Sequence, residues 1–273
     1  MPELPEVETV RRELAEWLPG RTVTEVALLA PSGPKYEGLQ RLPGQRIEAV
    51  TRRGKYLILP LSQGDELIIH LGMTGVVTPR LANEKEHKHT RVELRLNAGP
   101  DRNMYFVDVR RFGRFLVTKQ GDYTGMRTLA TLGPEPLGDE FTQTGFYAAL
   151  QASRSELKPY LLSQRPVAGL GNIYADEALF MARIHPRTPA NRVSKAKARA
   201  LHAATIQVLS AAVAAQGTTL ADYRTVQGGE GEFASRLLAY GRAGEPCRRC
   251  GRNLSRSVVG GRTTVHCARC QRA

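Results

Sequence analysis

Apolar residues such as Val7 and Val10 recur at helical spacing between residues 6 and 18. This spacing places them on one face of an α-helix. Pro5 suits the first turn of that helix, and Gly20 suits its C-terminal cap. The pattern therefore predicts an amphipathic helix close to the first residue of the chain.

From residue 22 to residue 119 the hydrophobic pattern changes to runs rich in β-branched residues, broken by Gly, Pro and Asn. Such runs are typical of β-strands separated by turns. The strongest runs cover residues 46–61, 66–78, 90–96 and 104–118. They predict a β-sandwich or barrel-like domain.

Helical periodicity returns after a Gly-Pro-Glu-Pro segment at residues 133–136. It predicts helices over residues 142–151, 155–163, 173–182 and 194–215. A short connection with two glycines joins the middle pair and ends in Asn172, which suits the N-cap of the next helix. The pattern indicates a mostly helical domain that contains a helix, two turns and another helix.

Residues 217–236 show little periodicity and are rich in glycine, so we predict a mobile loop there. The patterns together divide the chain into three parts. These are an N-terminal domain at residues 1–132, a helical domain with this loop at 133–236, and a C-terminal module at 237–273.

The charge balance is strongly basic, with 39 basic and 26 acidic side chains, a formal net charge of +13 and a sequence pI near 10. Such a balance indicates a polyanionic partner. No stretch approaches the roughly 20 apolar residues of a membrane-spanning helix, so nucleic acid is favoured over a membrane. The N-terminus lacks the basic and then apolar segments of a secretion signal, and we expect an intracellular protein.

All the cysteines lie near the C-terminus in two Cys-x-x-Cys pairs, Cys247 with Cys250 and Cys267 with Cys270, with sixteen residues between the pairs. In a reducing compartment this spacing indicates metal ligation rather than disulfides. Four thiolates suit tetrahedral zinc and leave no open coordination position. We therefore predict a structural zinc ion and not a catalytic one.

The segment between the cysteine pairs is basic and includes Arg252, Arg256 and Arg262, the last followed by Thr263. A hairpin held by zinc would present these arginines to phosphates. A solvated basic surface is the alternative that charge alone leaves open.

The first residues bring chemically useful groups together, because removal of Met1 exposes Pro2 as a secondary amine beside Glu3, with Glu6 one helical turn later. A terminal amine has a pKa of about 8, against about 10.4 for lysine, so far more of it is neutral and nucleophilic at pH 7. If Met1 is retained, the Pro2 nitrogen is an amide and cannot form an iminium. The same residues also make a good helix start, and local rules leave both interpretations open.

Three parts of the sequence resemble the formamidopyrimidine-DNA glycosylase family. They are the opening decapeptide, the Gly-Leu-Gly-Asn-Ile-Tyr-Ala-Asp-Glu segment at residues 169–177 and the four-cysteine finger. The resemblance covers nearly the whole chain in order. It implies an α+β multidomain fold with an N-terminal β-sandwich flanked by helices, a helical helix-two-turn-helix domain and a C-terminal four-cysteine zinc finger, with DNA in the cleft between the lobes.

The resemblance implies a bifunctional DNA glycosylase and AP lyase of base excision repair. Such an enzyme removes 8-oxoguanine and formamidopyrimidines from duplex DNA through a Schiff base at the N-terminal proline, and then cleaves the strand by β,δ-elimination. By this resemblance Pro2 is the nucleophile, Glu3 the proton donor and Lys55 a catalytic-site lysine near the lesion and a phosphate. Taken alone, Lys55 is interpreted as a surface lysine at a strand edge.

Three further residues match side chains that the family inserts into the duplex. Met73 matches the side chain that fills the gap left by an extruded nucleotide. Arg110 and Phe112 match the residues that face the orphaned cytosine and wedge between bases, a task that suits arginine donors and an apolar ring. Taken alone, Met73 is interpreted as a filler of the hydrophobic core.

The resemblance also assigns phosphate contacts to His70, Asn172 and Arg262. By the same resemblance, Arg262 grips the phosphates beside the lesion. It therefore counts among both the catalytic and the DNA-binding residues. Asn172 heads a predicted helix, where backbone N–H groups bind phosphate. A lone histidine such as His70 is otherwise often structural. The loop at residues 217–236 corresponds to the family's flexible segment that closes over the extruded purine.

Two other functions compete with this interpretation. A sister branch of the family removes oxidised pyrimidines, but Leu4 in place of Gly and the three inserted residues favour the purine branch. A non-catalytic damaged-DNA-binding zinc protein would keep the charge and the fold, but the intact catalytic residues argue against it.

The expected partner is double-stranded DNA that contains an oxidised purine, and no membrane partner is expected. We expect a monomer with one structural Zn2+ per chain and no organic cofactor. The expected location is the bacterial cytoplasm, in association with the nucleoid.

Overall fold

A computed structural model describes residues 1–80, 88–97, 103–220 and 223–272 and separates the chain into two units. Unit 1 comprises Met1–Ala130 and Gln216–Glu232, and unit 2 comprises Thr131–Ala215 and Phe233–Ala273. The predicted loop at 217–236, which we grouped with the helical domain, is therefore divided between the units. Its first part belongs to unit 1, where the Thr218 backbone N–H donates a hydrogen bond to the Glu6 side chain. No local sequence pattern reveals such a contact. Residues 221–222 of that loop lie outside the described residues.

Helix α1 (Leu4–Ala15) begins unit 1 and buries one apolar face that includes Val7, Val10 and Leu14. Pro5 lies in its first turn, as predicted. The helix ends earlier than predicted, because Pro19 lacks the N–H that a helix needs and restricts the residue before it. Gly20 does not cap the helix but takes a left-handed φ of 83° in the turn that follows.

Two antiparallel four-stranded sheets follow, in the orders β1-β6-β7-β5 and β2-β3-β4-β8. Their strands are β1 (Val23–Leu28), β2 (Thr51–Arg53), β3 (Tyr56–Pro60), β4 (Asp65–His70), β5 (Gly75–Arg80), β6 (Thr90–Leu96), β7 (Asn103–Asp108) and β8 (Arg114–Lys119). Buried residues of both sheets join the apolar face of α1 in one core. The predicted β-sandwich is confirmed.

The long predicted runs prove to be pairs of strands joined by turns. The run at 46–61 contains β2 and β3, the run at 66–78 contains most of β4 and of β5, and the run at 104–118 contains most of β7 and β8. In the second sheet Tyr56 pairs with His70 and His70 pairs with Arg114. The turns next to these residues therefore emerge at one end of the sheet.

Unit 1 also contains the short helix α2 (Arg127–Ala130), and unit 2 contains four longer helices close to those predicted. They are α3 (Gln143–Gln151), α4 (Leu157–Leu162), α5 (Asn172–Met181) and α6 (Lys195–Ala214), followed by the hairpin of β9 (Ser255–Val259) and β10 (Arg262–His266). Short 3-10 helices cover Leu39–Arg41, Ala190–Arg192 and Phe233–Arg236. Thr142 and Ser194 cap α3 and α6 with their side chains, as good N-cap residues do.

The predicted N-cap of α5 is also wrong. Gly171, not Asn172, is the N-cap residue of α5, and Asn172 is the first helical residue. Within the described residues, no helix combines the length and apolar character needed to cross a membrane.

Candidate active site and metal centre

The N-terminal residues predicted to be catalytic lie directly before α1. Pro2 and Glu3 are buried, whereas Met1 is 51% exposed. Glu3 is the N-cap residue, and its backbone N–H donates to Glu6 Oε2 at 2.7 Å. This capping box holds Pro2 and Glu3 in a defined position at the positive end of the helix.

The Glu6 carboxylate also contacts the segment that returns from the far end of the sequence. Its Oε1 accepts the Thr218 N–H at 2.7 Å, and the Tyr223 hydroxyl donates to the Glu6 carbonyl at 3.4 Å. Gly217 has a φ of 87°, and a Cβ there would lie 2.7 Å from Glu6 Oε1. Glu6 thus joins the N-terminal end of α1 to the loop. The sequence analysis placed Glu6 one helical turn after Glu3 but predicted neither the capping box nor the contact with the loop.

Lys55 lies in the tight turn between β2 and β3 and is only 6% exposed, so it is not the surface lysine that local rules suggest. The same hairpin is tied to α1 by Arg52, whose Nε lies 3.0 Å from Glu8 Oε2. Burial alone would raise the pKa of Glu8, but hydrogen bonds from two arginines of α1 and from Arg52 lower it to about 2. A charged Glu8 therefore fixes the Lys55 turn beside the helix.

His70 is the last residue of β4, and its ring packs against the Tyr56 ring in a tilted arrangement, with 4.7 Å between the ring centroids. Burial, together with the positive charges of Lys55 and Arg114, lowers the pKa of His70 to about 4. Its Nδ1 lies 3.3 Å from the Gly72 nitrogen, whose N–H donates to it. The neutral ring therefore carries its proton on Nε2, where it can donate to an anion.

The three residues predicted to enter the duplex lie in two adjacent turns, Met73 in the β4–β5 turn and the others in the β7–β8 turn. Phe112 is 51% exposed, and the guanidinium carbon of Arg110 lies 5.0 Å from its ring centroid. Met73 is partly buried. The structure brings these three residues together at the end of the sheet that carries His70.

In unit 2, Asn172 and Arg262 are linked through one residue of the finger hairpin. The Asn172 side-chain amide donates to the Thr263 carbonyl at 3.0 Å, and the side chain of Arg262 is exposed. The same carbonyl accepts from Lys158 Nζ at 3.1 Å, and Lys158 is paired with Asp176 at 2.6 Å. Sequence reasoning missed this ion pair, because two polar residues on helices α4 and α5 carry no local sign of burial.

Glu177 is a second residue that sequence reasoning missed. Its carboxylate accepts the backbone N–H groups of Leu238, Ala239 and Tyr240, each at 2.8 Å. Burial raises the pKa of Glu177, although these donors oppose the shift. The residue therefore anchors the start of the C-terminal module, ahead of its first cysteine pair.

The four cysteines form one cluster in unit 2, with all four Sγ atoms within 4.8 Å of one another and no disulfide among them. The Cys250 and Cys267 Sγ atoms are 3.5 Å apart. Tetrahedral zinc with bonds of about 2.3 Å requires sulfur atoms roughly 3.8 Å apart. The cluster therefore fits a tetrahedral metal site and leaves no coordination position open for substrate.

Three family models match the chain. The N-terminal domain of formamidopyrimidine-DNA glycosylase matches residues 1–115, the H2TH domain of the same family matches residues 132–224, and the zinc finger found in FPG and IleRS matches residues 244–273. A formamidopyrimidine-DNA glycosylase of Deinococcus radiodurans is 44% identical over 99% of this chain and 97% of that protein.

Solved structures agree with the family models. The crystal structure of the MutM (FPG) protein from Thermus thermophilus has a TM-score of 0.91 and 46% identity, covering 99% of this chain and 98% of that one. A structure of MutM in complex with DNA containing carbocyclic 8-oxo-G has a TM-score of 0.90 and 35% identity over 100% of both chains. The similarity thus extends over both units, each with the architecture described above.

Proposed function

The chain belongs to the formamidopyrimidine-DNA glycosylase family, and we propose that it excises oxidised purines from duplex DNA and then cleaves the strand as an AP lyase. The observation that carries the proposal is the buried Pro2-Glu3 pair at the start of α1, in a chain similar to these enzymes over its whole length. The related MutM bound to DNA with 8-oxo-G, an oxidised purine, favours purines over the pyrimidine alternative.

In the proposed reaction Pro2 acts as a free secondary amine after Met1 is removed. Its nitrogen attacks C1′ and loses its proton, and the bond from C1′ to the damaged base breaks with its electron pair on the base, which takes up a proton. The sugar ring then opens at its oxygen as the iminium forms. Glu3 supplies the proton that the ring oxygen takes up. The resulting iminium acidifies the C2′ proton, whose removal expels the 3′ phosphate, and a second elimination expels the 5′ phosphate.

Lys55 and His70 are proposed to hold the lesion-side backbone. Lys55 is a buried cation close enough to lower the pKa of His70, and the neutral His70 ring has an N–H donor. A point charge and a directed donor suit phosphate oxygens. Met73, Arg110 and Phe112 are proposed to replace the base that leaves the stack, because Phe112 is exposed and Arg110 lies against its ring.

Unit 2 is proposed to grip the phosphates beside the lesion through Asn172 and Arg262. A single structural Zn2+, held by Cys247, Cys250, Cys267 and Cys270, would stabilise the hairpin that carries Arg262 and would supply no catalytic water. The part of the 217–236 loop that Glu6 holds is proposed to close over the extruded purine. We propose a monomer in the bacterial cytoplasm, associated with the nucleoid.

Borohydride trapping tests the proposal. Protein with Met1 removed should give a covalent complex with duplex containing 8-oxoguanine opposite cytosine, and peptide mass spectrometry should place the adduct on Pro2. Protein that retains Met1 should bind the same duplex without an adduct. The absence of an adduct with fully processed protein, or trapping only with oxidised pyrimidines, would contradict the proposal.

A further inference from the structure

Two buried polar residues lie between the turns that carry Met73 and Phe112. Thr74 is 9% exposed and Asp108 is 0% exposed. The Thr74 hydroxyl donates to Asp108 Oδ1 at 2.6 Å. The resemblance assigned these two residues no role, and neither contributes to the apolar core.

Both residues also accept hydrogen bonds from backbone N–H groups of the β7–β8 turn. The Arg110 N–H donates to Thr74 Oγ1 at 3.0 Å, and the Gly113 N–H donates to Asp108 Oδ2 at 2.8 Å. The carboxylate therefore fixes the last residue of the 109–113 segment directly, and it fixes Arg110, near the start of that segment, through the Thr74 hydroxyl. A buried carboxylate that accepts several hydrogen bonds is an exacting constraint, because any movement that breaks one leaves a buried group unsatisfied.

The backbones of the two turns also touch. Gly72 has a φ of 64°, and a Cβ there would lie 2.5 Å from the Gly113 nitrogen. A Cβ on Gly113 would lie 2.6 Å from the Phe106 ring. In contrast to the buried Thr74 and Asp108, the side chains of Arg110 and Phe112 are exposed. Buried polar contacts thus hold an exposed pair in place.

We propose that Thr74 and Asp108 are positioning residues that lock the Met73 turn to the Arg110–Phe112 turn. The three inserted side chains then enter the duplex as one preformed group. Because the group is already ordered, the energy of inserting it is available for unstacking the damaged base. This inference rests on the proposed function and concerns base extrusion and recognition of the opposite base, not the chemistry at Pro2.

The test uses three substitutions of full-length, Met1-processed protein. Thr74→Val keeps the shape but removes the hydroxyl, and Thr74→Ser keeps the hydroxyl. Thr118→Val is the matched control, because Thr118 Oγ1 donates to the Asp122 carbonyl at 2.8 Å near the other end of β8. Rates are measured in single turnover, per active molecule titrated by borohydride trapping on an abasic duplex, so that unfolded protein is not counted.

Thr74→Val should slow excision of 8-oxoguanine opposite cytosine by about tenfold, the size of effect expected when a buried hydrogen bond is lost. It should also weaken the discrimination between opposite bases. Cleavage of a preformed abasic site, which has no base to extrude, should change less than about twofold. Thr74→Ser should restore excision, and Thr118→Val should match the unsubstituted protein.

A double-substitution cycle separates positioning from general structure. In a Phe112→Ala background, Thr74→Val should have a smaller effect than in the unsubstituted protein, because one of the three side chains that it positions is absent. Additive losses, or equal losses on the base-containing and abasic duplexes, would overturn the inference. So would full activity of Thr74→Val. Failure of the unsubstituted protein to excise 8-oxoguanine would instead contradict the proposed function.

Discussion

At the residue scale, His70 shows how neighbours set the charge of a side chain proposed to bind phosphate. Burial and the charges of Lys55 and Arg114 lower its pKa to about 4, against about 6.5 in an unfolded chain. We expect the His70 ring protons to titrate with a midpoint near pH 4 in NMR spectra. Because the folded state binds this proton more weakly, the His70 contribution to stability is complete above pH 6.5 and is lost as the pH falls towards 4.

Lys55→Met provides the control, because removing one nearby positive charge should raise the His70 midpoint. Lys195→Met, an exposed substitution in unit 2, should leave it unchanged. A midpoint near 6.5 in the unsubstituted protein would mean that the ring is solvated and charged below neutral pH. The conclusion that burial and the charges of Lys55 and Arg114 keep the ring neutral well below neutral pH would then be wrong.

The two residues Lys55 and Met73 show what local rules cannot supply. Such rules place Lys55 on the surface and Met73 in the core, whereas Lys55 is 6% exposed and Met73 is partly buried. Both lie in turns whose position depends on the pairing of Tyr56 with His70 and of His70 with Arg114. That pairing joins segments distant in sequence, so hydrophobic periodicity does not contain it, and the resemblance alone singled out these residues.

At the element scale, the Lys158–Asp176 pair joins α4, α5 and β10. Lys158 Nζ lies 2.6 Å from Asp176 Oδ1 and 2.8 Å from Thr264 Oγ1, and Asp176 Oδ2 accepts the Val265 N–H at 2.9 Å. Lys158→Met would leave Asp176 buried without its counter-ion. We expect the free energy of unfolding of unit 2, measured with urea, to fall by about 3–5 kcal/mol.

The pH dependence identifies the cause of that loss. Burial raises the pKa of Asp176 to about 6 even with Lys158 present, so it should rise further in Lys158→Met. The deficit should therefore be largest above the raised pKa of Asp176 in the variant and shrink as the pH falls from there to about 6, because Asp176 then takes up a proton in the variant but not in the unsubstituted protein. The double variant Lys158→Met with Asp176→Leu should recover part of the stability. A pH-independent deficit, or an equal deficit in the exposed Lys195→Met, would contradict this explanation.

Helices were easier to predict from the sequence than strands or the returning loop. The four helices of unit 2 lie within a few residues of their predicted bounds, because helical periodicity is a local signal. The run at 46–61 was not divided at Gly54, where the turn between β2 and β3 has a φ of 57°. The segment Gln216–Glu232 could not be assigned to unit 1, because its contact between Thr218 and Glu6 joins opposite ends of the chain.

At the scale of the whole molecule, the net charge of +13 makes DNA affinity depend on salt, and individual arginines contribute separately to that dependence. Arg262 is exposed at the start of β10, the strand that the Lys158–Asp176 pair contacts. Arg262→Ala should weaken binding to lesion-containing and undamaged duplexes equally. It should also flatten the plot of log affinity against log salt concentration by about 0.9, the value for one phosphate contact.

Arg95→Ala is the matched control for the loss of one positive charge. Arg95 is exposed, but its guanidinium lies 2.7 Å from Glu25 and 3.2 Å from Glu93 on neighbouring strands of unit 1, so its charge is already paired. We expect the salt slope of this variant to match that of the unsubstituted protein. If Arg95→Ala flattens the slope as much as Arg262→Ala, the effect follows net charge and not a phosphate contact. If Arg262→Ala weakens only the lesion duplex, Arg262 reads the damaged base, and the grip on the backbone must be assigned to other cations.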